Sequence, residues 1–241
     1  MKKKLTKALA LMLASVMLIA AICSVACSTD PKPDPEKPSV NIGDTYVFGA
    51  YEQDNDTSNG KEEIEWIVLD KQGSSLLLIS KYALDCKPYN EAYAVVTWET
   101  CTLRGWLNNE FINEAFGSDE KAMIQTTQVK NDDNAEYGTA GGNDTDDKVF
   151  LIGIDEAERY FSSDAARECE ATDYAVNNGV VPSAVYTAGG NPACWWWLRS
   201  PGADSHCAVD VECVGGVKLS GCHVYNDTHA VRPALWVNPG S

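Results

Sequence analysis

Cys194-Trp195-Trp196-Trp197-Leu198-Arg199-Ser200-Pro201-Gly202 and Val231-Arg232-Pro233-Ala234-Leu235-Trp236-Val237 are two apolar, arginine-bearing runs that bracket a window of different character. Between them stand Asp204, Ser205, His206, Cys207, Asp210, Cys213, Cys222, His223, Tyr225, Asn226, Asp227 and His229, and all the histidines of the chain fall here. The flanks read as framework strands. In the window, Ala208, Val209, Val211, Val217, Leu219 and Val224 supply packing positions for short strands, and Gly202, Gly215, Gly216 and Gly221 turn the chain. Its His, Tyr, Asn, Asp and Ser side chains offer adaptable hydrogen bonding at low entropy cost, as antibody loops do. Loops on a rigid scaffold are where binding residues concentrate. The candidate ligand-binding set is therefore Asp204, Ser205, His206, Asp210, His223, Tyr225, Asn226, Asp227 and His229, and the pattern points to binding rather than catalysis.

The framework set is Trp197, Arg199, Arg232 and Trp236. A guanidinium within an apolar strand needs acceptors for its five donors, so each arginine is expected to tie backbone carbonyls or an acid, a role lysine does not fill. Alternation along a strand sends at least one of Trp195, Trp196 and Trp197 into the core.

Upstream, Gly43 to Gly49 reads as an opening strand, and Asp54 to Lys61 as a loop. Ile64–Leu69 and Ser75–Ser80 read as strands joined by a hairpin turn over Lys71–Ser74, the second apolar enough to be buried on both faces. Leu103, Trp106, Leu107, Phe111 and Ala115 recur at helical spacing, with Thr102 as cap and Gly117 as stop. A short helix is expected from Glu120 to Gln125, a strand near Thr126–Lys130, a buried strand at Val149–Ile152 and a helix from Asp155 to Phe161. Asn131–Asp147 is an acidic, glycine-rich loop whose spacing does not match an EF-hand.

The N-terminus carries Lys2, Lys3, Lys4 and Lys7 ahead of an apolar stretch from Ala8 to Ile22, the layout of an export signal. Ser24-Val25-Ala26-Cys27 resembles the lipobox of bacterial lipoproteins, which implies cleavage after residue 26, lipidation of Cys27 and an anchor that does not span the membrane. Residues 27–41 alternate proline with charge, giving an extended spacer of about 3 Å per residue. Residues 42–241 are then one domain. The formal net charge of −16 becomes four units more negative once the four leader lysines are removed. That acidity repels phosphate backbones and excludes nucleic acid as a partner. Cys86, Cys101, Cys169, Cys194, Cys207, Cys213 and Cys222 remain in the domain, an odd number that leaves at least one thiol unpaired within the monomer.

Ile64-Glu65-Trp66-Ile67-Val68-Leu69, Leu77-Leu78-Ile79-Ser80-Lys81-Tyr82, Leu103-Arg104-Gly105-Trp106-Leu107-Asn108, Asp147-Lys148-Val149-Phe150-Leu151, Trp197-Leu198-Arg199-Ser200-Pro201 and Val231-Arg232-Pro233-Ala234-Leu235 occur in that order. Together they resemble an uncharacterised domain family of bacterial surface lipoproteins. The final third is also similar to the variable ligand-binding proteins of diversity-generating retroelements, which have a C-type-lectin fold. From Ala203 to Ala230 only Glu212 and Lys218 fall outside the residues that adenine mutagenesis of Asn codons yields. The resemblance implies an α+β, C-type-lectin-like fold with paired N- and C-terminal strands, flanking helices and a loop-rich C-terminal binding face. It implies a lipid-anchored protein on the outer face of a bacterial cell membrane, with a protein or glycan as its ligand and a surface at 203–230 open to diversification.

Three other chemistries draw on residues of the same window. His206, Cys207, Cys213, Cys222, His223 and His229 have the softness of zinc ligands but not the usual spacing. Tyr225-Asn226-Asp227 resembles half of a lectin calcium motif, and its partner element is absent. A surface enzyme related to formylglycine-generating oxidases would need a cysteine pair such as Cys207 and Cys213, and Ser205, His206 and Asp210 form a triad only on paper. No catalytic residue, metal or cofactor is assigned from the sequence; a structural envelope protein without a specific ligand is the remaining alternative.

Overall fold

Leu76-Leu77-Leu78-Ile79 is buried on both faces, and a strand so far from water must pair its backbone groups along both edges, which sets the first sheet. In the computed structural model, which describes residues 40–240, Ser75–Ser80 lies between Glu62–Gln72 and Ala234–Val237, and Thr45–Tyr51 adds beyond Glu62–Gln72. All three pairings are antiparallel. Gly73 and Ser74 form the turn between the two central strands, with Gly73 at φ +62°, a left-handed conformation of the kind tight hairpins use. The expected pairing of the opening and closing strands is not observed. They occupy opposite edges of this sheet, because the apolar Ser75–Ser80 run takes the closing strand as its second neighbour.

The second sheet has five strands in the order Val217–His223, Cys207–Val211, Trp196–Pro201, Ala230–Val231, Asp85–Cys86. Only the Trp196–Pro201 pairing with Ala230–Val231 is parallel. With the helices, the two sheets make an α+β fold. The described residues fall within a contact unit that opens at Val40; the export signal, Cys27 and the spacer up to residue 39 lie outside the described residues. Among the described residues no helix is long and apolar enough to cross a membrane.

The helix read around Trp106 runs as Thr102–Trp106, a wider π turn over Leu107–Phe111, and Ile112–Ala115. Its cap is Cys101 rather than Thr102; the Cys101 sulfur accepts from the Arg104 amide. Phe111 and Phe116 pack on the first sheet, with ring centroids 5.2 Å from Tyr51 and 5.2 Å from Phe48 respectively. The widened turn has a visible cause. Asn108 Nδ2 donates to the Arg104 and Val149 carbonyls at 3.1 and 2.8 Å, and Asn108 Oδ1 accepts from the Lys148 and Val149 amides. A side chain inserted into the helical ladder is one of the recognised sources of such a distortion.

Val149–Ile152 is fully buried, as its apolarity demands, but it is not the expected strand. Asn108 takes the Val149 backbone, Arg199 takes the Leu151 and Ile152 carbonyls, and only Phe150 bridges to Ala234. All four carbonyls of the segment and the Val149 and Phe150 amides thus find partners without forming a ladder. Two runs far apart in sequence are thereby joined, since Arg104 also donates to Asp147 at 2.6 Å. Asp147 is buried and accepts from Trp98 Nε1 and Thr145 Oγ1 as well.

Removing that carboxylate leaves Arg104 and the Trp98 indole without their acceptor. Asp147→Ala is expected to lower the unfolding free energy by about 2 to 3 kcal/mol. The exposed neighbour change Asp146→Ala is expected to cost less than about 0.5 kcal/mol. Urea denaturation of both variants checks this, and equal losses would refute the role given to Asp147.

Candidate functional site

The window between the framework strands folds as a hairpin of Cys207–Val211 and Val217–His223. Cys207–Val211 is sandwiched between its hairpin partner and Trp196–Pro201, so it is a central strand. The ladder shifts register after the Ala208–Cys222 pair and resumes at Asp210–Lys218. Gly221 sits in this irregularity at φ +68°, where an added Cβ would fall 2.1 Å from the Ala208 carbonyl oxygen. Only glycine fits there. Strand alternation puts Ala208 and Asp210 on one face, and Cys222, opposite Ala208, shares it.

At the open end of the hairpin four aromatic side chains gather from three separate segments. Tyr93 stacks on His206 with centroids 4.5 Å apart and an interplanar angle of 20°. It meets His223 and Tyr225 edge-on at 5.7 and 5.5 Å, and His223 stacks on Tyr225 at 5.6 Å. Tyr93 is 60% exposed and Tyr225 49% exposed. Backbone bonds fix the three segments together: Val224 N–H to His206 O, Asn90 N–H to Val224 O and Val96 N–H to Ser205 O. Asp204 Oδ1 accepts from the His206 amide and lies 3.5 Å from His206 Nδ1. Cys207 Sγ lies 3.7 Å from His223 Nδ1. Burial, and then the Asp204 carboxylate, pushes its thiol up to about 11, so it is protonated at neutral pH and a weak nucleophile.

The structure brings Asp204, Ser205, His206, His223 and Tyr225 to this end, and Asp227 is exposed on the following turn. Two residues of the expected binding set are corrected. Asp210 and His229 are buried at 0% and 6% exposure and cannot present themselves to a large ligand. Asp210 occupies the inward face of a central strand, where a carboxylate must find a partner; His229 Nε2 lies 2.7 Å from its Oδ2. Asn226 is turned inward with them, its Oδ1 2.9 Å from His229 Nδ1. Trp197 stacks on the His229 ring at 4.4 Å. The division between framework and surface thus runs through the window rather than around it.

Tyr93 is the residue the sequence did not reveal. It stands in a stretch without periodicity, Pro88 to Val96, and only its contacts with residues more than a hundred positions later give it a role.

The framework residues are densely tied. Arg199 donates to the Lys130 carbonyl through Nε and Nη2, and through Nη1 to the Leu151 carbonyl and the Glu156 carboxylate. Arg232 donates to the Ser80 and Arg167 carbonyls and lies between the rings of Phe161 and Trp196. Trp197 Nε1 donates to the Lys87 carbonyl, while Trp236 is half-buried at the rim of an acid-lined groove of about 560 Å³. A smaller cleft of about 410 Å³ is walled by Trp195, Lys218, Thr228, His229, Cys213 and Pro182.

The competing chemistries fare unevenly. Cys213 packs against Ala188, Ala193 and Trp195, apart from Cys207, and all seven cysteines of the described residues are free thiols. Burial opposes ionisation of Cys169, while its hydrogen bond with Cys194 and the Arg232 charge lower the thiol of this buried pair. Asp210 bonds His229 and not His206, so Ser205, His206 and Asp210 do not assemble. In the acidic loop Asp144 pairs with Lys130 and Asp147 with Arg104. Asn226 of the half calcium motif spends its oxygen on Thr228 and His229. Among the described residues, metal-ligating side chains converge at Asp210, Cys222 and His229 and at Glu52, Asp54 and Glu62.

The hairpin geometry makes a direct prediction. Gly221→Ala is expected to destabilise the domain by more than about 2 kcal/mol, from the left-handed backbone and the clash together. Gly216→Ala, where an added Cβ comes no closer than 3.4 Å to a flexible Glu212 oxygen, is expected to be tolerated. Denaturation midpoints of the two variants check this, and a tolerated Gly221→Ala would refute the bulge.

No curated protein and no solved structure matches the chain. Residues 73–239 match a family model described as a domain of unknown function, DUF6273, and the chain belongs to that family.

Proposed function

We propose that this protein is a binding module, anchored to the outer face of a bacterial membrane by lipid on Cys27, that seats an extracellular protein or glycan on the Tyr93–His206–His223–Tyr225 face. The observation that carries the reading is the exposed cluster itself. Two tyrosines and two histidines stack on one another at the surface, held by backbone bonds from three segments. Tyrosine rings give a rigid, amphipathic contact area with few rotatable bonds, and such residues are enriched where protein surfaces recognise partners. Asp204 supplies a carboxylate beside His206.

The C-type-lectin-like reading of the fold belongs to this proposal. In its favour are the first sheet, the flanking helix and a second sheet whose hairpin end bears the candidate face. The opening and closing strands, which lie at opposite edges of the first sheet rather than side by side, are a departure from it. Diversification of 203–230 is likewise part of the proposal, and burial sharpens it: variation at His206, His223 and Tyr225 is compatible with the fold, and variation at Asp210 and His229 is not. A binder is favoured over an enzyme because Cys207, the thiol nearest a face histidine at 3.7 Å from His223 Nδ1, is held protonated by burial and the Asp204 carboxylate, and Ser205, His206 and Asp210 do not assemble.

The test uses the full chain on cells that express it, probed with a panel of labelled glycans and secreted proteins. A saturable partner is expected, with affinity reduced at least tenfold, about 1.4 kcal/mol, in the Tyr93→Ala/Tyr225→Ala double variant. Binding that survives loss of both rings would overturn the assignment of the face. A domain inaccessible to external protease on intact cells would overturn the location.

A further inference from the structure

His229 is held between acceptors on both sides. Asn226 Oδ1, 2.9 Å from Nδ1, is fixed as an acceptor because it also receives the Thr228 amide at 2.9 Å and the Thr228 hydroxyl at 2.8 Å. Nδ1 therefore carries a proton, and in the neutral ring Nε2 presents its lone pair. Yet Nε2 lies 2.7 Å from Asp210 Oδ2, another acceptor. Two lone pairs do not face each other at that distance without positive charge between them. Asp210 is fully buried, and its other oxygen, Oδ1, has no hydrogen-bond partner.

A third donor completes the set. Cys222 Sγ, an Asp210 carboxylate oxygen and a His229 ring nitrogen all lie within 4.8 Å of one another. The inward face shared by Asp210 and Cys222 is what the glycine bulge of the hairpin creates. A divalent ion takes a cysteine sulfur as the thiolate, so a cation seated among these three groups is matched by a second negative charge beside Asp210. Imidazole, thiolate and carboxylate together suit a borderline-soft ion of the zinc class. The Nδ1–H bond to Asn226 is the kind of support that orients a ligating histidine and raises its basicity.

We propose that Asp210, Cys222 and His229 form a three-ligand site for a zinc-class divalent cation. Binding releases the Cys222 thiol proton, together with any proton shared between His229 and Asp210. His229 also lines the 410 Å³ cleft beside Trp195, Lys218 and Thr228, which offers the ion an entry path and leaves a fourth coordination position for water or a ligand. The site does not depend on any partner at the Tyr93 face.

The test titrates chelator-treated full-length protein with Zn²⁺ and with Co²⁺. One equivalent is expected to bind, raising the thermal midpoint, and the cobalt form is expected to show a thiolate-to-metal charge-transfer band. Cys222→Ser is expected to abolish that band and weaken zinc more than about 100-fold, beyond the loss that follows removal of a supporting hydrogen bond. His229→Gln is expected to do the same, and Cys207→Ser to retain full binding. Circular dichroism of Cys222→Ser confirms that the fold persists. Three results would overturn the proposal: no zinc bound by the native chain, a cobalt spectrum without the thiolate band, or undiminished binding by Cys222→Ser. The first would leave a direct His229–Asp210 hydrogen bond as the account of the short contact.

Discussion

A buried guanidinium must satisfy its donors, and Arg199 and Arg232 satisfy theirs on carbonyls that have no ladder partner. Arg199, on a strand of the second sheet, reaches the Lys130 and Leu151 carbonyls. The segment holding Leu151 in turn bridges through Phe150 to the closing strand of the first sheet. Arg232 makes the reverse tie. It lies between the two sheets' strands Ala230–Val231 and Ala234–Val237 in sequence and donates to Ser80 of the first sheet. Its guanidinium lies against Trp196 of the second. The Lys130, Leu151, Ser80 and Arg167 carbonyls thereby gain donors within the core. Lysine, a single point of charge without the planar fork, does not replace either residue.

With that frame fixed, the hairpin after Trp196–Pro201 has two distinct faces. Its inward face carries Ala208, Asp210 and Cys222 toward Trp197 and His229, and polarity there is tolerated because the groups answer one another. Its open end carries His206 and His223 to Tyr93 and Tyr225, where the rings contact each other and solvent. The same short stretch therefore supplies a candidate metal site below and a candidate recognition surface above. The first depends on burial, the second on exposure.

Much of the fold was legible because it rests on local pattern. The apolar run at Ser75–Ser80, the helical spacing around Leu107 and the framework flanks all appear where periodicity put them. Long-range partners were not legible. Val149–Ile152 has a strand's composition, but Asn108 and Arg199 supply its bonds from side chains, which no pattern announces. The edge positions of the first and last strands depended on which neighbour Ser75–Ser80 would accept. In the candidate site, residue type suggested that Asp210 and His229 face water, as charged residues usually do. The alternation Val209-Asp210-Val211 points the acid to solvent in a half-buried strand, and only the strand's central place, set by its neighbours, buries both faces and obliges the acid to find a partner. Tyr93 gave no signal at all, because its partners lie beyond residue 200.

If the frame and the face are separate, they respond differently to substitution. The most direct measurement compares denaturant unfolding of two full-length variants with the native chain. One replaces Tyr93, His206, His223 and Tyr225 together with serine; the other is Arg232→Lys. The four-residue variant is expected to stay within about 1 kcal/mol of native stability, with an unchanged denaturant slope. Arg232→Lys is expected to cost more than about 2 kcal/mol. A four-residue variant as destabilised as Arg232→Lys would show that the aromatic cluster is part of the scaffold and not a surface carried by it.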